Sequence, residues 1–167
     1  MKKKLIHNKI KKLSQKKAEN QPVITKIKTV VILNNPNSGL DIKKLKLLEN
    51  ALKLDSTDFN IFTVKEKKDN FNNLHGLIAD ISDLNFFGNI KNNQIKDFFD
   101  KKYDILIDFT ALEKPLEKFF SLKIPAGFRV GYKTDDLLYD LMIEVKNKDI
   151  PVFIKEMTYY LKLLKMI

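Results

Sequence analysis

Between Asp104 and Asp108 the chain reads Ile-Leu-Ile, the centre of the stretch YDILIDFT (Tyr103–Thr110). A strand with one solvated face alternates apolar and polar residues. A strand that is apolar throughout is buried on both faces, as in a parallel sheet covered by helices on either side. KIKTVVILN (26–34) has the same β-branched character and reads as the first core strand. Asp104 and Asp108 stand at opposite ends of their strand, roughly 13 Å apart, so they do not form a working pair.

The remaining segments alternate in type. Asp41–Leu54 reads as a helix, with Ile42, Leu45, Leu48 and Leu52 on one face. DFNIFTV (58–64) is a strand. Leu74, Leu77, Ile78 and Ile81 suggest one short helix, and NFFG (85–88) a short strand before a glycine turn. Asn92–Asp100 and EKPLEKFFSL (113–122) are helical, and AGFRVGY (126–132) and LYDLMIEV (138–145) are strands. The last helix has Asp149 as its cap and Pro151 in its first turn, with Phe153, Met157, Tyr160, Leu161 and Leu164 facing inward. Alternating strands and helices imply a three-layer α/β fold with a mostly parallel sheet.

Charge divides the chain differently. Residues 1–28 hold ten lysines against the single acid Glu19, a net of +9, out of +10 for all 167 residues. The body is nearly neutral, and concentrated charge raises local potential where scattered charge cancels. MKKKLIHNKIKKLSQKKAEN reads as a basic helix with a narrow stripe of Leu5, Ile6, Ile10 and Leu13, ended by Pro22. We expect residues 1–21 to form a basic amphipathic arm and 26–167 a single α/β domain. Two readings of the arm stand side by side: a helix docked by its stripe, or an arm for a polyanion. In the second, Lys2, Lys3, Lys4, Lys9, Lys11, Lys12, Lys16 and Lys17 carry the contact, and the partner is RNA or the ribosome, an anionic membrane surface, or another protein. Only one of the 31 basic residues, Arg129, is arginine, and the arm lacks Trp and Phe. Base-specific readout and deep membrane insertion are therefore not expected of it.

The absence of cysteine excludes disulfides, thiolate catalysis and zinc–thiolate sites, and suits a reducing compartment. No apolar run approaches the roughly 20 residues of a membrane span. No apolar stretch of signal-peptide type follows the basic start, and we expect a cytoplasmic protein.

Open α/β sheets bind ligands at the carboxyl ends of their strands, so the turns there are the places to test. NNPNSGLD (34–41) has one glycine, Gly39, and no Lys-Ser/Thr pair, so it is neither a dinucleotide loop nor a Walker loop. Ser38 and Asp41 read as caps, with a weak anion site as the alternative. Asp108 and Thr110 close their strand, either as turn chemistry or as a base or ribose contact. Arg129, Lys133, Asp135 and Asp136 surround the Gly131 turn, as a polar binding edge or a solvated loop. Neither His7 nor His75 falls into an acid–His–nucleophile order, and no metal or cofactor motif is read.

YDILIDFTALEKPLEKFFSLKIPAGFRVGY resembles a segment in the N-terminal domain of heptosyltransferase-type glycosyltransferases. The likeness rests on Tyr103, Asp104, Asp108, Arg129, Val130 and Gly131 and covers about a fifth of the chain. It implies Rossmann-like layering. It does not carry the activity, because that family's catalytic aspartate lies in a Gly-Asp loop that NNPNSGLD does not match, and its sugar-nucleotide site lies mainly in a second domain. The whole chain is also similar to a small bacterial family of unknown function, with a lysine-rich start, a Phe-Gly turn like Phe87-Gly88, YDILID and DLMIEV. The expectation is a non-enzymatic domain docking through its basic helix onto RNA. The alternatives are a nucleotide or nucleotide-sugar binder using Ser38, Gly39, Asp108 and Thr110, and a peripheral membrane or scaffold protein.

Overall fold

The computed structural model describes residues 2–55, 58–66, 76–135 and 138–167; the side chains of Lys2 and Lys3 lie outside that description. Leu74, His75 and Asp136, named above, also lie outside it.

Helix α1 (Lys2–Glu19) opens the chain and is followed by β1 (Val30–Asn34) and α2 (Ile42–Leu52). Asp41 caps α2 by accepting from the Lys44 amide at 2.9 Å, and Lys53 ends it in the left-handed region at φ 55°. Strands β2 (Phe59–Val64) and β3 (Leu77–Ala79) precede α3 (Asn93–Asp100), whose cap, Asn92, accepts from the Gln94 and Ile95 amides. Then come β4 (Tyr103–Asp108), α4 (Pro115–Lys123), β5 (Ala126–Tyr132), β6 (Leu141–Ile143) and α5 (Ile150–Leu163). Pro151 lies in the first turn of α5, and Asp149 accepts from the Val152 amide there at 3.0 Å.

The strands form one sheet in the order β3-β2-β1-β4-β5-β6, every pairing parallel. This is the three-layer, Rossmann-like arrangement. Alternate residues of each strand feed two cores. Val30, Ile32, Ile105, Ile107 and Val130 pack under α2 and α5, against Leu48, Phe153 and Met157. Val31, Leu33, Phe62 and Leu106 pack under α1, α3 and α4, against Ile10, Ile95 and Phe120. Central strands are therefore apolar throughout, as the sequence pattern requires.

Helix α1 is docked. It packs on α4, and Ile6 and Ile10 are buried. Each contributes about 1.5–3 kcal/mol by burial. The chain after α1 is held by Val23 N donating to Gly127 O and Ile27 N to Met166 O, both at 2.9 Å. Ile27 enters the opposite core.

Several local expectations are corrected. Leu77 and Ile78 form edge strand β3, pairing with Phe62 and Thr63, and Ile81 starts a 3-10 turn. Three residues carry too short a pattern to separate strand from helix. NFFG is a turn between an antiparallel bridge of Leu84 and Ile90, because Asn85 Oδ1 accepts from the Phe87 and Asn89 amides and curls the backbone. Strand β6 is shorter than 138–145. On α5, Tyr160 and Leu164 are exposed, and Ile150 and Ile154 take their place in the core. Ile42 is exposed as well, at the first turn of α2.

Candidate functional site

The lysines of α1 divide by what surrounds them. Lys17 Nζ pairs with Asp140 Oδ1 at 2.6 Å, and Asp140 Oδ2 accepts from the Arg129 amide, so this carboxylate fastens α1 to β5. Lys9 Nζ donates to Gly88 O at 2.9 Å and to Asn89 Oδ1, fastening α1 to the turn before α3. Lys4, Lys11, Lys12 and Lys16 are exposed.

Two adjoining clefts run beside this helix. The first, about 410 Å³, has Lys9, Lys12, Lys96 and Lys123 around a floor that includes Leu13, Ile90 and Phe99, with one carboxylate, Asp100. The second, about 590 Å³, shares Leu13 and Lys123 and adds Lys16, Lys17 and Lys102. Its carboxylate, Asp104, accepts from the Lys28 and Thr29 amides and from Thr29 Oγ1. Lys9, Lys12 and Lys16 fall along one edge of α1 at spacings of three and four, about 10 Å of helix. Burial lowers the pKa of Lys9, and the neighbouring charge of Lys123 lowers it further. Cations are thus crowded here beyond what the local carboxylates offset.

The carboxyl end of the sheet is arranged differently. Its strand order reverses between β1 and β4, where such sheets hold ligands. There Asn35 Nδ2 donates to Glu117 Oε1 at 2.8 Å, bridging the loop after β1 to α4. Glu117 Oε2 accepts from the Lys114 amide, and burial raises this acid's pKa. In the loop after β1, Ser38 Oγ donates to Asn34 Oδ1 and accepts from the Leu40 amide, and Lys44 Nζ donates to Gly39 O. Gly39 has φ +75°, which suits glycine in this turn.

Asp108 is fully buried. Its Oδ1 accepts from the Thr110 amide at 2.9 Å and Thr110 Oγ1 at 2.7 Å. Desolvation raises its pKa against the opposing pull of Thr110 and the nearby Ser121 and Tyr139 hydroxyls. Asp108 Oδ2 and Tyr139 OH nonetheless fall outside hydrogen-bonding geometry among the described residues, as does Arg129 Nε. The Tyr139 ring occupies the space a side chain on Gly131 would fill, and Gly131 sits beside Asp108 in register.

Arg129 Nη1 donates to Ser121 O at 2.7 Å and Nη2 to Ile124 O, so its guanidinium satisfies carbonyls at the end of α4. Lys133 is exposed on a separate surface, where Glu144 accepts from it at 2.8 Å and raises its pKa. Of the residues singled out in the sequence, the structure therefore brings together Asp108 with Thr110, and Lys9 with Lys12, Lys16 and Lys17. It brings Arg129 to the second cleft beside Lys16 and Lys17, with its guanidinium engaged at the end of α4, and sets Lys133 apart. Lys96, Lys102, Lys123 and Glu117 were not singled out. Only Glu117 carried a local signal, an acid in the first turn of a Pro-started helix, where it accepts from the Lys114 amide.

Among the described residues no helix is long and apolar enough to cross a membrane, and no group of three or more His, Asp or Glu is placed to hold a metal. A family described as "Family of unknown function (DUF6913)" matches residues 2–164, taking in α1 and the whole sheet. The chain belongs to that family. No curated protein and no solved structure matches it, so the glycosyltransferase likeness gains no support from named relatives. The family match spans basic helix and α/β body together.

Proposed function

We propose that this DUF6913 protein is a non-enzymatic α/β domain that docks on RNA, ribosomal RNA included, through α1 and the clefts beside it. The observation that carries this reading is the crowding of Lys9, Lys12, Lys16, Lys96, Lys102 and Lys123 around two joined clefts that contain Asp100 and the already engaged Asp104. A phosphate backbone offsets such charge and releases counterions when it binds. Docking of α1 holds its lysines in place, so less side-chain and backbone freedom is lost on binding than with a free arm. The nucleotide-sugar reading has less behind it, because Ser38, Gly39 and Glu117 are engaged within the chain and Asp108 is closed to solvent.

Affinity of the full chain for a labelled RNA, measured against salt, tests the proposal. Binding should fall steeply, with log K losing about 0.7 per single-strand phosphate contact for each decade of salt. Lys12→Glu, Lys16→Glu and Lys123→Glu should each weaken binding and flatten that slope. The reading fails if RNA is not bound at low salt, or if all three variants keep the parent's slope.

A further inference from the structure

Two phenylalanines stand in solvent in the turn that reaches the first basic cleft through Gly88 and Asn89. Phe86 is 48% and Phe87 67% exposed, whereas Phe62, Phe98 and Phe120 of the core on this face are buried. Their rings meet edge to face at 5.7 Å. The turn that carries them is well held. Asn85 Oδ1 accepts from two amides of the turn, Gly88 N donates to Asn85 O at 3.0 Å, and Leu84 pairs with Ile90 across its base. Gly88, the next residue, lines the first cleft, and its carbonyl accepts from Lys9. A Cβ on Gly88 would lie 3.6 Å from the aliphatic stem of Lys9, so turn and helix are in contact.

Exposed aromatic rings beside lysines are the elements of a single-strand nucleic-acid site: cations track the backbone, and bases stack on the rings. In a duplex the base faces are already stacked on one another and only their edges reach the grooves. We infer that Phe86 and Phe87 form a base-stacking platform beside the first cleft, so that the protein takes single-stranded rather than duplex RNA. This inference rests on the RNA-docking proposal and adds the class of RNA. Charge complementarity selects this occupant: Lys9, Lys12, Lys96 and Lys123 surround the adjoining cleft, against Asp100 alone among its described lining residues.

The chain contains no tryptophan, so a single Phe87→Trp substitution makes a unique fluorescent reporter. In the full-length Phe87→Trp protein, single-stranded oligonucleotides should quench the emission and a duplex of the same sequence should not. Phe86→Ala with Phe87→Ala should lose about tenfold or more in affinity for the single strand. Its salt slope should stay unchanged, because no phosphate contact is removed. Phe87→Leu, which keeps apolar bulk without a stacking face, should lose affinity where Phe87→Trp retains it. Both side chains are exposed, and an unchanged melting temperature confirms that the fold is kept.

If RNA binds with a steep salt slope but the double alanine variant binds single strands as well as the parent, the platform is overturned and the groove proposal stands. Equal quenching by duplex and single strand overturns it likewise. Absence of RNA binding at low salt overturns both. Flotation with phosphatidylserine vesicles that is lost in the double variant, without RNA binding, assigns the turn to a membrane surface instead.

Discussion

Asp108 shows how one residue type in one place can be read two ways until its surroundings are known. A carboxylate at the end of a central strand is where a base or ribose contact belongs. Here it is sealed under Tyr139 and ties the turn at Thr110. Burial raises its pKa above the ordinary 3.8, so the folded chain holds the proton more tightly than the unfolded chain does. The stability contributed by this group is fully present below the unfolded value and lost as pH rises through the folded one. Asp108→Asn keeps the acceptor for Thr110 and removes the ionisation. Its melting temperature relative to the parent should therefore climb as pH rises through and above the ordinary carboxylate range. A difference that stays flat across that range would contradict the assignment. Gly131 is a second case. A Cβ there would lie 2.2 Å from the Tyr139 ring, inside the buried cluster. Gly131→Ala should cost about 1–3 kcal/mol or more in denaturant unfolding. Arg129 owes its place to the end of α4, and Arg129→Leu would leave the Ser121 and Ile124 carbonyls without their donors. A loss of about 2–4 kcal/mol is expected in denaturant unfolding.

Helix α1 carries the central result for the elements. Its sequence reads equally as a free basic arm and as a docked helix, because a stripe of four apolar residues suffices for either. Packing on α4 decides the matter, reinforced by Lys9 at the 85–89 turn and Lys17 at Asp140. Ile10→Ala should destabilise the protein by about 2–5 kcal/mol, as for other buried aliphatic truncations. It should also raise hydrogen exchange in α1 more than in α5, whereas an undocked arm would show no effect on unfolding. Removing residues 1–21 would uncover Phe119 and Leu122, which pack in the same core as Ile6 and Ile10, so that variant is a poor test of binding. Glutamate at the exposed Lys12 or Lys16 avoids this difficulty. The strands show the complementary case. β1, β4 and β5 were legible because five to seven residues of consistent burial leave a clear pattern. β3, read as part of a helix, is a strand because β2 pairs with it, and β6, read as 138–145, pairs with β5 over three residues only.

For the molecule as a whole, a near-neutral body and a strongly basic start put most of the net charge where α1 packs on α4. In a native lysate this should appear as sedimentation with RNA-containing particles that is lost on RNase treatment or in high salt. A small free species in low salt would count against it. The sequence alone determined the α/β class, the alternation of strand and helix, the caps at Asp41 and Asp149, and the segregation of lysine. These are local properties, written in periods of two and 3.6 residues and in runs of one charge. The tertiary structure alone decided which lysines remain at the surface, because the partners of Lys9 and Lys17 lie 79 and 123 residues away along the chain. It also decided that Lys96, Lys102 and Lys123 join them, and that Asp108 and Arg129 are enclosed. Such groupings follow from how layers stack on the sheet, and contacts so far apart in sequence leave no local periodicity to read.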